Sequence, residues 1–228
     1  THLDALTRGH IVHEAQFHII GRLEEAGLLP VTPKNLVEVL QLFEVVLDEV
    51  TDDFHEQLAP AIERIWRDEL ERIRIDLRGW IRREAEKTDG FVPYRREYTF
   101  GMRPRGPADP SSTLDVAKLA GGLRLRGAID LVEKRADGKV RVTDHKSGKV
   151  WMPESAVLNG GESLQPVLYS LAYEALTGEE VESSRLYYCT ERGGYAQRVV
   201  HVDDKALEVV EEFQRRLDDM IDEGFFPA

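Results

Sequence analysis

Asp130, Asp144 and Lys146 lie close together in the stretch GAIDLVEKRADGKVRVTDHKSG, residues 127 to 148. Both acids stand in apolar runs where a hairpin would bury valines. An isolated charge is costly to bury, so three near one another imply either ion pairing or a bound metal. Two carboxylates on adjacent strands are hard oxygen ligands suited to Mg²⁺ or Mn²⁺, and the His145 backbone carbonyl offers a third oxygen. A lysine beside such an ion can orient or deprotonate a water for attack on phosphorus. The plainer alternative is a hairpin carrying a surface ion pair.

Register decides whether the three groups meet. A two-residue loop at Asp137-Gly138 sets Lys134 against Arg141 and Asp130 against His145, which places like charges opposite each other and parts the acids. A three-residue loop, 136–138, with Gly138 left-handed, sets Glu133 against Arg141, Val132 against Val142 and Asp130 against Asp144. Lys146 then shares their face. The second register satisfies the side chains better and is the expected one.

The elements that must hold this hairpin follow from periodicity. Residues 7–27 read as a helix capped by Thr7 and stopped by Gly27, and Thr32-Pro33 opens a second helix to about residue 50. A third carries Ile62, Trp66, Leu70, Ile73, Leu77 and Trp80 at spacings of three and four, ending at residues 88–90. Strands are expected at about 91–100, 123–135 and 139–146, with a loop rich in Pro and Gly between the first two. A helix at 162–177, a hairpin at 183–202 turning at Gly193-Gly194, and a last helix at about 203–223 complete the order. The fold class is α/β, a mixed central sheet flanked by helices. One domain over 1–228 is expected, with a helical insertion at about 30–88 and the sheet and its helices at about 89–228.

The 228 residues are 42% hydrophobic and 32% charged, an ordinary globular balance. No apolar run reaches membrane-span length, and the start carries no signal-peptide pattern. The single cysteine, Cys189, rules out an internal disulfide framework and suits the cytoplasm. A formal charge of −12 argues against general electrostatic coating of nucleic acid, but not against an enzyme whose acids hold a cation. A chain opening on Thr1 and closing on GFFPA is expected to be part of something longer.

Gly127 to Asp130 as G-x-x-D, Asp144 to Lys146 as D-x-K, and Gln165 to Tyr169 as Q-x-x-x-Y together resemble the PD-(D/E)XK nuclease superfamily. The likeness is closest to its RecB-like branch, which includes AddB-type helicase–nuclease subunits and CRISPR-adaptation exonucleases. Upstream, Gly9 to His13 resembles that branch's G-x-x-x-H helix. The resemblance implies a restriction-endonuclease-like core in which His13, Asp130, Asp144 and the His145 carbonyl hold Mg²⁺ or Mn²⁺. Lys146 would serve the attacking water, while Gln165 and Tyr169, one turn apart on a helix face, would position the substrate strand. It further implies a deoxyribonuclease, exonuclease rather than endonuclease, leaving 5′-phosphate and 3′-hydroxyl ends. Its setting would be DNA-end processing or recombinational repair, with single-stranded DNA or DNA ends and a helicase subunit or domain as partners. The rival reading is a non-catalytic nuclease-like module that binds ends or scaffolds a helicase.

Glu97 resembles an acid that some relatives carry before G-x-x-D; a salt bridge to Arg95 or Arg96 is the equal alternative. AddB-type relatives hold an iron–sulfur cluster on four cysteines; with Cys189 alone this chain cannot hold one, so either the cluster belongs to a longer form or this branch lacks it. Arg95, Arg96, Arg103 and Arg105 form a basic stretch suited to DNA, and Trp151 could stack a base. Arg74, Arg78 and Arg82 read as a solvated face laced with acids.

Overall fold

The computed structural model describes residues 3–60, 62–150, 161–222 and 224. Helix α1 (Ala5–Glu25) begins at Asp4, whose carboxylate accepts the Thr7 backbone N–H at 2.9 Å and the Thr7 hydroxyl at 2.7 Å. Thr7 therefore completes the cap from inside the first turn instead of forming it, a correction to the sequence reading. Gly27, at φ +68°, turns the chain just past the last helical turn.

Helix α2 (Leu36–Leu58) runs eight residues beyond the expected end near 50. Thr51 does not break it, because its hydroxyl donates to the Leu47 carbonyl at 2.9 Å, and Phe54 continues the buried stripe. The residues after Pro33 form a turn instead of a first helical turn. Asn35 accepts the Thr32 N–H at 2.7 Å and donates to the Leu28 carbonyl at 2.9 Å. Helix α3 (Glu63–Glu86) buries Trp66, Ile73, Leu77 and Trp80 as its periodicity predicts. Its Arg74 and Arg78 are drawn onto Glu44 and Asp48 of α2, with Arg78 to Glu44 at 2.6 Å.

The main sheet is ordered β1 (Val92–Phe100), β4 (Gly127–Lys134), β5 (Val140–Lys146), β6 (Val181–Tyr188), β7 (Gln197–His201). The strand expected from 123 is divided: β2 (Ala117–Lys118) and β3 (Arg124–Leu125) pair separately before β4 begins. The β5–β6 pair is parallel, and the other pairs of this sheet are antiparallel. Helix α4 (Gly161–Thr177) lies in the crossover that a parallel pair requires, and α5 (Asp204–Asp222) follows β7. Adjacent residues of β4 serve opposite layers. Leu131 packs with the α1–α3 core, while Val132 packs with Tyr98, Ala172 and Tyr173. The result is a mixed sheet flanked by helices, the restriction-endonuclease-like architecture.

The β4–β5 register is the expected one, with Glu133 opposite Arg141 and Val132 opposite Val142. Gly138 has φ +90°, which the three-residue loop demands. Beneath the sheet the Glu133 carboxylate, fully buried, accepts from Arg141 at 2.9 and 3.1 Å, Arg185 at 2.8 Å, Lys87 at 2.8 Å and the Thr143 hydroxyl at 2.7 Å.

Candidate metal centre

Regular pairing of β4 with β5 ends at Leu131–Thr143, one step before the two aspartates. There the Asp130 carboxylate accepts the His145 backbone N–H at 2.7 Å, a side chain taking the place of a ladder bond. On the other edge of β4 the pairs Arg96–Leu131 and Tyr98–Ile129 flank Glu97, which the ladder skips. The register therefore aligns Glu97, Asp130 and Asp144 across three neighbouring strands. Like charges placed opposite one another oppose folding.

Glu97 sits at φ +47°, in the left-handed region that a non-glycine residue rarely occupies. Asp109 holds it there: its carboxylate accepts the Arg96 N–H at 3.2 Å and its own N–H donates to the Glu97 carbonyl at 3.3 Å. From α1, His13 reaches Asp130 with Nδ1 3.5 Å from the carboxylate. One donor atom each from His13, Glu97 and Asp130 lies within 4.8 Å of the others, a spacing that one divalent ion can satisfy. Asp144 faces the same cavity and meets Lys146 Nζ at 2.8 Å. The cavity, about 430 Å³, is also bordered by Ser147, Gly148, Lys149 and Tyr188.

The electrostatics record the crowding. Burial, and then the charge of Asp130, push the Glu97 carboxyl up to about 7. Burial and Asp130 likewise raise Asp144 to about 6 against the pull of Lys146. Burial draws His13 down, but the Asp130 charge and hydrogen bond outweigh it and lift the imidazole to about 9. Asp130 itself is held low, since His13 and the His145 N–H overcome the effect of burial. His145 points its ring elsewhere, edge-on to Trp80 at 5.9 Å, and burial keeps it neutral with a pKa of about 3.

Close approaches explain two glycines around the site, Gly127 of the G-x-x-D motif and Gly193 of the turn after β6. A Cβ on Gly127 would lie 2.5 Å from the Tyr169 hydroxyl, whose ring also stands edge-on to Phe100 at 5.7 Å. Tyr169 thus seats α4 against the start of the strand that carries Asp130. Gln165, one turn earlier, is half-buried. After Lys146 the chain is clamped by the loop following β6: Cys189 N–H donates to the Lys146 carbonyl at 3.0 Å. Gly193 passes so near the Gly148 carbonyl that a Cβ would sit 2.9 Å away.

The basic stretch divides. Arg96 donates to the Phe17 carbonyl and to Glu24 of α1, and Arg95 pairs with Glu179 at 3.3 Å and Ser111 at 2.6 Å. Arg103 and Arg105 are exposed on the loop after β1, and Trp151 lies outside the described residues. Sequence reasoning missed Tyr188, Ser147 and Lys149 at the cavity, since they carry no motif of their own. Glu97 it named without settling, because an unpaired backbone step on β1 leaves no local pattern.

The sequence profile of the PD-(D/E)XK nuclease superfamily matches residues 1–228. The chain belongs to the PD-(D/E)XK nuclease superfamily. Among curated proteins it is similar to the B subunit of the ATP-dependent helicase/deoxyribonuclease from Bacillus cereus strains AH187 and Q1, 28% identical over 218 residues. The corresponding protein of Bacillus anthracis is also 28% identical over 218 residues. Those matches cover 91% of this chain and 17% of each relative, so the chain spans about a sixth of their length. No helix among the described residues is long and apolar enough to cross a membrane. The donor set of one imidazole and several carboxylates fits the divalent metals that this superfamily uses.

Proposed function

We propose that this chain is a metal-dependent deoxyribonuclease domain that hydrolyses phosphodiester bonds as part of a helicase–nuclease. The observation that carries the proposal is the row of three acids across β1, β4 and β5, two of them with raised pKa values. Three carboxylates face only two cations, His13 and Lys146, and an excess of buried negative charge of this kind is what a bound cation relieves. His13, Glu97, Asp130 and Asp144 are the ligands we assign, with the His145 carbonyl beside them, and Mg²⁺ or Mn²⁺ as the ion. When bound, that ion offsets the charge developing on the phosphoryl oxygens.

The chain's own residues do the rest. Lys146, held at the cavity by Asp144, presents ammonium hydrogens that orient the attacking water in line with the scissile bond. Tyr169, seated over Gly127, and Gln165 on the same face of α4 support the bound strand from the α4 side. Arg103, Arg105 and Lys149 are exposed cations available to backbone phosphates, whereas Arg95 and Arg96 are engaged in packing. The relatives' name, a helicase/deoxyribonuclease subunit, supports DNA as substrate and a helicase as partner. End processing by an exonuclease, with 5′-phosphate products, is the form of the reaction we favour, in a soluble cytoplasmic repair setting.

Incubating the protein with linear and covalently closed DNA, with each metal and with chelator, tests the reading. Metal-dependent loss of linear DNA alone is expected, and Lys146→Ala should reduce the rate by at least about 100-fold. A Lys146→Ala protein that cuts as fast as the wild type would remove the assignment.

A further inference from the structure

The loop between β6 and β7 grips two distant parts of the chain at once. On one side it carries the pairing of β6 with β5 past its last step, Lys146 opposite Tyr188. The Cys189 N–H donates to the Lys146 carbonyl at 3.0 Å, and the Thr190 hydroxyl donates to the Ser147 carbonyl at 3.4 Å. On the other side the loop is fastened to the second half of α3. The Asp76 carboxylate accepts the Glu191 N–H at 2.7 Å, and the Tyr195 hydroxyl donates to the Asp76 carbonyl at 3.3 Å. We infer that this loop is a latch through which α3 fixes Lys146, and that Tyr195 is the positioning residue that closes it. The inference rests on the nuclease reading and adds to it a residue that acts through Lys146 without lining the metal cavity.

Tyr195 is held more firmly than a loop side chain needs to be. Its ring fits over Gly79 of α3, where a Cβ would collide with the ring and its hydroxyl. The Arg83 guanidinium, tied to the Gly79 carbonyl at 2.9 Å, covers the ring at 3.5 Å from its centroid. The ring also packs against the core shared by α1, α2 and α3. The Tyr195 backbone lies at φ +52°, a conformation that glycine or asparagine takes with less strain. Such strain persists only where the surroundings over-determine it, and here they do so through the ring. Two glycines, Gly193 and Gly194, stand just before it, so a chain serving the turn alone had no need of a tyrosine there.

The consequence falls on Lys146 and not on the ion. His13, Glu97 and Asp130 stand on α1, β1 and β4, away from the bonds that the loop makes to β5. Lys146 is the last residue of β5, and the chain beyond it is braced from the loop side, where Gly193 passes close to the Gly148 carbonyl. Asp76 anchors the other end of the latch. It is buried, and its second carboxylate oxygen is held by Arg8 of α1. Releasing the Tyr195 ring leaves the loop joined to β5 but no longer to a fixed point on α3. The end of β5 then loosens, and a lysine displaced by about 1 Å no longer aligns the attacking water.

Steady-state cleavage of linear DNA at saturating Mn²⁺, beside isothermal titration of Mn²⁺ and a melting curve for each variant, tests the latch. Tyr195→Asn suits the left-handed backbone and removes the ring. It should lower kcat by about 10-fold while KM and Mn²⁺ affinity keep their wild-type values. Gly79→Ala, which drives the ring out from the α3 side, should do the same. Tyr195→Phe keeps the ring in its seat and should hold kcat within about 3-fold of the wild type. If Gly79→Ala fails to fold, Tyr195→Asn decides. A folded Tyr195→Asn protein with wild-type kcat overturns the latch. So does a fall in kcat matched by an equal fall in Mn²⁺ affinity, which would mark a general structural role. A wild type that binds Mn²⁺ but cuts no DNA removes the nuclease reading and the latch with it, an outcome distinct from a working wild type that the variants fail to slow.

Discussion

Glu133 and Asp130 are three residues apart on β4, and each anchors a cluster of charge, yet the clusters are built on opposite principles. Around Glu133 three cations and a hydroxyl converge on one carboxylate. Burial would raise that carboxyl, but Arg185, Lys87 and Arg141 hold it well below the usual range. Around Asp130 two further acids share the space with one lysine and one histidine, and both those acids are pushed up. A self-compensated cluster stabilises a fold. One with more acids than cations, kept in place by a left-handed glutamate and an interrupted ladder, is poised for a cation from outside.

The largest expected effect lies on the compensated side. Glu133→Ala leaves Arg141 and Arg185 buried without their carboxylate and should lower unfolding stability by about 3–5 kcal/mol in urea titrations. The same experiment on Glu97→Gln, without metal and above pH 7, should show the opposite sign. Removing a carboxylate whose charged form is disfavoured should raise stability by about 1 kcal/mol. If both variants lose stability alike, the contrast between the clusters is broken.

A smaller effect follows from His13. Its folded pKa of about 9 lies above the ordinary 6.5, so the native state binds more protons than the unfolded chain between those values. Its contribution is fully present below pH 6.5 and is lost as pH rises through 9. The melting temperature of the metal-free protein should therefore fall from pH 6.5 to 9, and Asp130→Asn should flatten that slope. A wild-type curve rising over this window would contradict the assigned pairing.

The hairpin of β4 and β5 was legible because its register rests on neighbours in sequence: Glu133 facing Arg141, and a glycine where the loop needs positive φ. For the same reason the sequence could bring Asp130, Asp144 and Lys146 to one end of that hairpin. The fate of Arg95 and Arg96 was not, since Glu179 and Glu24, far away along the chain, claim them. Helix ends went wrong where one side-chain hydrogen bond overrode propensity, as at Asp4 and Thr51.

The central claim is that the row of Glu97, Asp130 and Asp144 exists to take a divalent cation. Isothermal titration of Mn²⁺ into the wild type, Glu97→Gln and Asp130→Asn tests it without reference to turnover. Stoichiometric binding by the wild type is predicted, weakened about 10-fold by Glu97→Gln and abolished by Asp130→Asn, with all three proteins folded. Equal Mn²⁺ affinity in all three, or none in the wild type, would contradict the account.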